Sequence, residues 1–329
     1  MAMAKAERMV SIQSTAGSES RAALVQAFKE KYGLNIEMVA GNGSEMAQKL
    51  LRERAAGIYA VDINVVGNTT PITDLKPKQA LDPIEPLIIL PEAKDPQAWW
   101  GGGLQWVDKE HMELATLGQP EPAITINTNL VQSGEVKSYK DLLNPKWKGK
   151  IALRDPSAVG GGGKWFSVAI QSGMLNLDYM RQLAKQDPVV VRDGRLQAEW
   201  LAQGKYAIGV ATQGSVIEPM MQLKVPLLQL VPEEGTYLAS GSTCLALVNR
   251  APHPNATKIF VNWFLTKDGQ TTLSKAMGSQ SYRLDVPTDH LKPQSLRQAG
   301  IKYFNPDNED VIMKEPDLRK QAKDIFGIK

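Results

Sequence analysis

The sequence has little of several features that mark specialised proteins. Its 329 residues include one cysteine, Cys244, so an internal disulfide is impossible, and the apolar run around it predicts a buried small side chain. Hydrophobic runs are short, as in PLIIL at 86–90, and none could span a bilayer. The net charge of +3 is small and the basic residues are dispersed, which argues against a nucleic-acid binder. The opening MAMAKAERMV contains no apolar leader, so the sequence alone fits a cytoplasmic or a mature exported protein.

Catalytic and cofactor motifs are also missing. The three histidines are far apart, and neither an HExxH metal motif nor a GxSxG nucleophile motif occurs. The glycine run after residue 159 is not a nucleotide-binding loop, because Ala158 stands where GxxxxGK needs its first glycine and Trp165 follows Lys164. We therefore expect no enzyme activity and no cofactor. A catalytic triad assembled from distant residues stays an alternative.

What is present is a repeated alternation of strands and helices. In the first half, strands at 9–13, 35–39 and 61–66 alternate with helices at 18–32 and up to Gly57. The second half repeats the pattern, with strands at 150–154, 188–192 and 206–212, each followed by a helix, and VPLLQLV as a closing strand. This spacing predicts parallel pairing, and the length suits two domains. The sequence therefore predicts two α/β units.

The loops between these strands and helices are rich in Ser, Thr, Asn and Gly. Ligands of open α/β sheets bind beyond the carboxyl ends of the strands, and unpaired N–H groups at helix starts attract anions. The clearest example is KGKIALRDPSAVGGGGKW at 148–165, where four glycines would allow a ligand to approach the backbone closely. A flexible turn is the alternative interpretation of such a run. The sequence predicts an anion-binding cleft between the two units.

Two further segments are predicted to carry the chain between the units. One is PAITINTN at 122–129 and the other VPEEGTYLASGSTCLAL at 231–247, and two such crossings make a hinge. Trp99, Trp100 and Trp106 precede the first crossing; we expect them to fill the junction between the lobes, with a ligand-pocket lining as the alternative.

Three stretches resemble a known family. They are SYKDLLNPKWKGKIALRDPS at 138–157, WLAQGKYAIGVATQGS at 200–215 and EEGTYLASGSTCLALVNRAPHPNATKIFVNWFLTKDGQ at 233–270. Together with the opening strand and loop, they resemble the family 1 solute-binding proteins of ABC importers, a group that includes ferric-iron, thiamine and polyamine binders. The similarity covers nearly the whole chain.

The resemblance implies an α/β, two-lobed type II periplasmic binding protein fold with a two-strand hinge. Lobe 1 is expected at 8–112 plus 240–275, lobe 2 at 125–232 plus 276–329, and the hinge crossings at about 113–126 and 232–245. It also implies a monomer that delivers a small molecule to an ABC permease, binds no nucleic acid, and is periplasmic or extracellular, with a leader that this sequence does not include.

The candidate ligand contacts come from both predicted lobes. Arginine forks suit carboxylate or phosphate, so we expect a small organic anion neutralised by Arg154 and Arg192. The other predicted contacts are Ser14, Thr15, Gly43, Ser44, Asn68, Thr69, Ser157, Gly161, Gly162, Gln213 and Tyr237.

Several alternatives accompany this set. The arginines could form salt bridges with Asp155 or Asp193, and Ser14, Thr15, Ser44 and Ser157 could be helix caps. A cationic ligand would need Asp155, Asp193 and Glu45 to face it. Ferric-iron members of the family use adjacent tyrosines, whereas Tyr179, Tyr206, Tyr237 and Tyr282 are scattered here. No metal site is predicted; an iron-chelate binder and a periplasmic sensor stay alternatives.

Overall fold

The computed structural model describes residues 1–328, with the backbone alone for Ser215, Glu218, Pro219, Gln222 and Gln294. The strands are β1 Met9–Ser14, β2 Asn35–Ala40, β3 Ile63–Val66, β4 Leu81–Asp82, β5 Gln105–Trp106, β6 Glu113–Ala115, β7 Gln119–Glu121, β8 Ile124–Asn127, β9 Ile151–Arg154, β10 Val189–Val191, β11 Ile208–Val210, β12 Leu227–Leu230, β13 Thr236–Ala239, β14 Cys244–Val248 and β15 Tyr303–Phe304. The α-helices are α1 Ala2–Glu7, α2 Ser18–Tyr32, α3 Gly43–Ala55, α4 Pro91–Lys94, α5 Gly161–Gln171, α6 Leu177–Lys185, α7 Gly194–Ala202, α8 Gly214–Gln222, α9 Pro254–Phe264, α10 Lys267–Met277 and α11 Glu309–Ile325. A π-helical turn spans Pro71–Leu75.

The chain forms two compact units. Unit 1 consists of Met1–Gln119, Ala239–Arg297 and Asp307–Ile312, and unit 2 of Pro120–Leu238, Gln298–Pro306 and Met313–Lys329. The predicted lobe 2 differs from this division at residues 276–297 and 307–312, which belong to unit 1. Backbone hydrogen bonds explain the difference at 276–297, because Tyr282 N–H donates to the Thr116 carbonyl at 3.0 Å and Trp100 N–H donates to the Tyr282 carbonyl at 2.7 Å. At 307–312, Glu309 N–H donates to the Val107 carbonyl at 2.7 Å.

Unit 1 is built on a sheet of order β2-β1-β3-β14-β6-β5, with β4 also paired to β14. The pairs β1–β2 and β1–β3 are parallel, as the spacing predicts. Strand β14 pairs antiparallel with β3, so a segment far along the chain completes this sheet. Its core includes Ile12, Ile63, Val65, Leu245 and Cys244, all nearly inaccessible to solvent. Cys244 is thus the buried small side chain that was predicted.

Unit 2 has a five-stranded sheet of order β10-β9-β11-β8-β12. Strands β10 and β11 both run parallel to β9, which confirms the predicted strand–helix repeats. The closing strand β12 pairs antiparallel with β8, which itself runs antiparallel to β11. A third sheet has the order β15-β13-β7.

Most helix ends follow the local signals in the sequence. Helix α2 ends at Gly33, which adopts φ 66°, and α6 begins after Asn176, whose side chain accepts from Tyr179 N–H. Residues 254–277 form two helices, α9 and α10, and not one continuous helix. The break lies at Thr266, because the Thr266 side chain accepts from Gly269 N–H and caps α10. Gly269 therefore lies in the first turn of α10.

The tryptophans before β6 pack within unit 1. Trp99 is 1% exposed and its indole N–H donates to the Ala93 carbonyl, while Trp100 stacks on Tyr282 with ring centroids 5.6 Å apart. Trp106 stacks on His111 at 4.2 Å. Over residues 1–328, no helix is both long and apolar enough to cross a membrane.

Candidate functional site

In unit 2 the parallel strands β9, β10 and β11 end at one edge of the sheet, and the helices α5, α7 and α8 begin just beyond it. Each of these helices starts with a glycine, namely Gly161, Gly194 and Gly214. The predicted residues Arg154, Ser157, Gly161, Gly162, Arg192 and Gln213 all lie at this edge, which is where open α/β sheets bind ligands.

Arg154 is the last residue of β9, and its guanidinium is partly buried. The Nη1 atom is enclosed and has no hydrogen-bond partner among the described residues. Burial lowers the pKa of Arg154, and the nearby carboxylates of Asp155 and Asp193 oppose that shift. A Cβ added to Gly194 would overlap this Nη1 and lie 2.8 Å from Gln213 Oε1, so the three residues form one cluster. Arg154 thus offers a donor that no described protein group uses.

Arg192 behaves differently from Arg154. Its side chain is 76% exposed, and its Nε donates to Asp155 Oδ2 at 3.0 Å. The salt-bridge alternative is therefore confirmed for Arg192. Asp155 also accepts from the backbone and the hydroxyl of Ser157, at 2.9 and 2.7 Å. Although burial raises the pKa of Asp155, these bonds to Ser157 and Arg192 lower it overall. Asp155 therefore organises the loop as a buried carboxylate.

The three helix starts differ in the protein group that accepts hydrogen bonds from their first backbone N–H groups. Asp193 caps α7 and accepts from the backbone of Arg195 and Leu196, and Glu121 accepts from Gly214 N–H at the start of α8 at 3.0 Å. Helix α5 begins after Gly160 with no side-chain cap hydrogen bond in the described structure. A carboxylate of the protein thus accepts from the backbone at two of the helix starts, and the start of α5 has no such side-chain acceptor among the described residues.

The structure explains the glycines at 160–163 by backbone conformation and close contacts that the sequence does not reveal. Gly160 adopts φ 119°, a conformation that disfavours side chains. A Cβ at Gly162 would overlap the Asp155 carbonyl, and one at Gly163 would overlap the Ala158 carbonyl. These two glycines let α5 pack onto its own loop. At Gly161 the nearest atom is Gln213 Cγ, 3.3 Å from the added Cβ.

Tyr237 lies in another sheet from this cluster. It belongs to β13, the central strand of β15-β13-β7, and is only 5% exposed. Burial raises the pKa of its hydroxyl well above the usual value. The expectation that Tyr237 reaches towards a ligand is therefore not supported, because so buried a ring presents almost no surface.

In unit 1 the loops after β1, β2 and β3 meet. A Cβ added to Gly43 would lie 2.9 Å from Thr70 Oγ1 and 3.7 Å from Thr15 Cγ2. The Thr15 hydroxyl is enclosed and has no hydrogen-bond partner among residues 1–328. Ser14 is buried, and its Oγ accepts from Ala16 N–H at 3.1 Å. Ser14, Thr15 and Gly43 are therefore brought close together.

The other predicted contacts of unit 1 are Asn68, Thr69 and Ser44, and each forms a hydrogen bond with a neighbouring protein group. Asn68 is buried and donates through Nδ2 to Asp307 Oδ1 at 2.6 Å, while the Thr69 hydroxyl donates to Asn68 Oδ1 at 3.2 Å. Ser44 lies in the first turn of α3, and its N–H donates to Asn42 Oδ1 at 3.0 Å.

The helix-cap alternative is wrong for the four residues it named. The cap of α3 is Asn42, and the residues at the cap positions of α2 and α5 are Gly17 and Gly160. None of these positions is Ser14, Thr15, Ser44 or Ser157.

One acidic cluster has metal-ligand spacing but already holds an ammonium group. Asp108, Glu110 and Glu309 bring their oxygens within 4.8 Å of one another. Lys76 Nζ lies at 3.0, 2.6 and 2.6 Å from these three carboxylates. Burial lowers the pKa of Lys76, but the bonds to the carboxylates raise it overall, so the ammonium occupies the place of a cation.

Comparison with known proteins identifies the family. Residues 23–294 match the family described as bacterial extracellular solute-binding protein. The chain belongs to this family. It is a solute-binding protein and not an enzyme, and the family description agrees with the predicted location outside the cytoplasm. An uncharacterised protein of Haemophilus influenzae is 26% identical over 177 residues, which is 53% of this chain; the match spans about half the length of that relative.

Solved structures match over almost the whole solute-binding protein. AfuA of Actinobacillus pleuropneumoniae, a periplasmic binding protein with fructose 6-phosphate bound, is 20% identical, with 98% of this chain and 99% of that chain covered and a TM-score of 0.66. IdiA (FutA) of Trichodesmium, in complex with iron and citrate, is 19% identical, with 98% and 100% covered and a TM-score of 0.73. These similarities confirm the predicted periplasmic binding protein fold.

Sequence reasoning missed three residues at these sites. Gly194 is not among the predicted contacts, although its position next to Asp193 repeats the strand-loop-helix pattern. Thr70 directly follows the predicted Asn68 and Thr69. Glu121 gives no local signal, because its partner Gly214 is 93 residues away.

Proposed function

We propose that this solute-binding protein is the binding component of an ABC importer and captures a small organic anion, carboxylated or phosphorylated. The observation that carries the proposal is the enclosed Nη1 of Arg154, a cationic donor without a described protein partner beside the uncapped start of α5. Delivery to an ABC permease and a periplasmic location complete the proposal. Two proteins of the same fold support the ligand class, because one holds a phosphate ester and the other holds citrate together with iron.

Arg154 is the proposed primary contact in this site. A guanidinium fork donates paired charge-assisted hydrogen bonds to carboxylate or phosphate, and partial burial strengthens them. Gln213 adjoins it and Gly161 adjoins Gln213, and both are proposed to contact the ligand as well. Arg192 adds positive charge at the same edge, but its exposure and its bond to Asp155 predict a smaller contribution. Thr15 and Gly43, with Ser14, Ser44, Asn68 and Thr69, form a second proposed set.

Isothermal titration calorimetry with citrate, fructose 6-phosphate and inorganic phosphate tests the ligand class, with fructose and spermidine as uncharged and cationic controls. We expect at least one anion to bind and the two controls to fail. Binding of spermidine with no binding of the anions would overturn the proposal.

Matched arginine variants test the proposed contact. Arg154→Ala is expected to weaken anion binding by roughly 10- to 100-fold, since a hydrogen bond to a charged group contributes about 1.5–3 kcal/mol. Arg192→Ala, which also removes one positive charge, is expected to change the Kd less than about threefold because that side chain is exposed and screened. Equal losses in the two variants would indicate general electrostatic attraction and contradict the specific role of Arg154.

A further inference from the structure

We infer that Gly194 is a positioning residue: the absence of a side chain there creates the space in which the Arg154 guanidinium is held ready for an anion. The inference rests on the proposed function for its effect on binding, but its structural part can be tested without any ligand.

The geometry around Gly194 is specific to Arg154. An ideal Cβ at residue 194 would overlap Arg154 Nη1, and it would lie 3.1 Å from Arg154 Cζ and 2.8 Å from Gln213 Oε1. The nearest three atoms thus all belong to the polar ends of two side chains from neighbouring strand ends. Any larger residue at position 194 would force the guanidinium out of its present place.

The backbone gives no other reason for a glycine at this position. Gly194 is not among the glycines with a positive φ. It is the first residue of α7, where alanine has the higher helix propensity and restricts the unfolded chain more than glycine does. Of the three nearest atoms only Gln213 Oε1, at 2.8 Å, would remain without Arg154, and it ends a flexible side chain that can shift, so an alanine would then be tolerated or preferred. The glycine is explained by the guanidinium beside it.

Gln213 occupies space next to the Arg154 guanidinium. Its Cγ lies 3.3 Å from the position of an added Cβ on Gly161, and its Oε1 lies beside Gly194. The side chain thus fills the space between the starts of α5 and α7. With Gln213 on one side and the α7 backbone on the other, a guanidinium displaced by the methyl group of a Gly194→Ala variant would lose its position at this edge of the sheet.

A double-mutant cycle on the full chain tests the inference without ligand. We expect Gly194→Ala to lower the melting temperature in the presence of Arg154. In the Arg154→Ala background, the same change should leave the melting temperature unchanged or raise it. A decrease of equal size in both backgrounds would show that Gly194 serves the helix alone and would overturn the inference. If Gly194→Ala alone does not fold, restored folding in the double variant supports the inference, and failure of the double variant to fold overturns it.

The binding arm of the cycle uses citrate, fructose 6-phosphate and inorganic phosphate. For whichever of these anions binds the unmodified protein, we expect Gly194→Ala to weaken binding by at least roughly tenfold when Arg154 is present. In the Arg154→Ala background the same change should weaken binding by less than about twofold, as expected when two residues act through one contact. Unchanged affinity in Gly194→Ala would overturn the positioning role. If the unmodified protein binds none of the anions, the proposed ligand class fails, whereas the melting temperatures still decide whether Gly194 makes room for Arg154.

Discussion

Glycines in this chain differ in what occupies the space beside the missing side chain. Gly33 ends α2 through a positive φ, which the sequence predicts from its place after an amphipathic run. Gly162 and Gly163 allow α5 to contact its own loop, whereas Gly194 adjoins a guanidinium. The sequence shows where glycines lie, but not which atoms approach them, because those atoms come from other segments.

Gly118 offers a stability test at the residue scale. A Cβ there would overlap the ring of Tyr282 and lie 2.5 Å from its hydroxyl, and Tyr282 is completely buried. We expect Gly118→Ala to lower the free energy of unfolding by about 1–3 kcal/mol, as overpacked cores do. Urea denaturation measures the effect. Gly103→Ala is the matched control, since nothing lies within 4 Å of its added Cβ. It should change stability by less than about 0.5 kcal/mol, and a similar loss in both variants would contradict the steric explanation.

At the scale of elements, α1 is tied to unit 1 through the start of α9. The Glu7 carboxylate accepts from the backbone of Asn255 and Ala256 at 3.2 and 2.7 Å and from the Asn255 side chain at 2.6 Å. A carboxylate at a helix N-terminus is favoured by the helix dipole. The sequence does not predict this cap, because Glu7 and Asn255 are 248 residues apart, and local patterns do not report such pairs.

The Glu7 cap predicts a pH dependence of stability. Burial raises the pKa of Glu7, but the hydrogen bonds from Asn255 and Ala256 outweigh it and lower the pKa below 4.5. Ionised Glu7 therefore stabilises the fold above about pH 4.5, and this contribution is lost as the pH falls through the lower value of the folded state. We expect Glu7→Gln to lower the free energy of unfolding by about 0.5–1 kcal/mol at about pH 7.

Urea denaturation at about pH 7 and about pH 3 measures this difference for Glu7→Gln. The difference in the free energy of unfolding between the variant and the unmodified protein should be smaller at the lower pH. Glu37→Gln, at an exposed position of β2, controls for the loss of one negative charge. A gap that stays constant between the two pH values would contradict the ionised cap.

At the scale of the whole molecule, a protein that binds a ligand without converting it should be stabilised by that ligand and should release it unchanged. A ligand that binds only the folded protein stabilises it by about 2.7 kcal/mol at a concentration of about 100 Kd. We expect the melting temperature to rise with the logarithm of anion concentration and the anion to be recovered unchanged by mass spectrometry. Arg154→Ala should reduce the rise at a given concentration. An altered ligand after incubation would contradict the role of a binding protein.

By itself the sequence determined the strands and helices, the parallel pairing next to each crossover helix, and the polar loops at the strand ends. These follow from periodicity and capping, which act over a few residues. Only the tertiary structure decided that Arg154, Gly194 and Gln213 cluster, that Arg192 is paired with Asp155, and that Glu121 neutralises α8. Residues 276–297 likewise joined unit 1 through backbone pairing with a segment more than 150 residues earlier. Such contacts depend on how distant segments pack, and no local pattern encodes them.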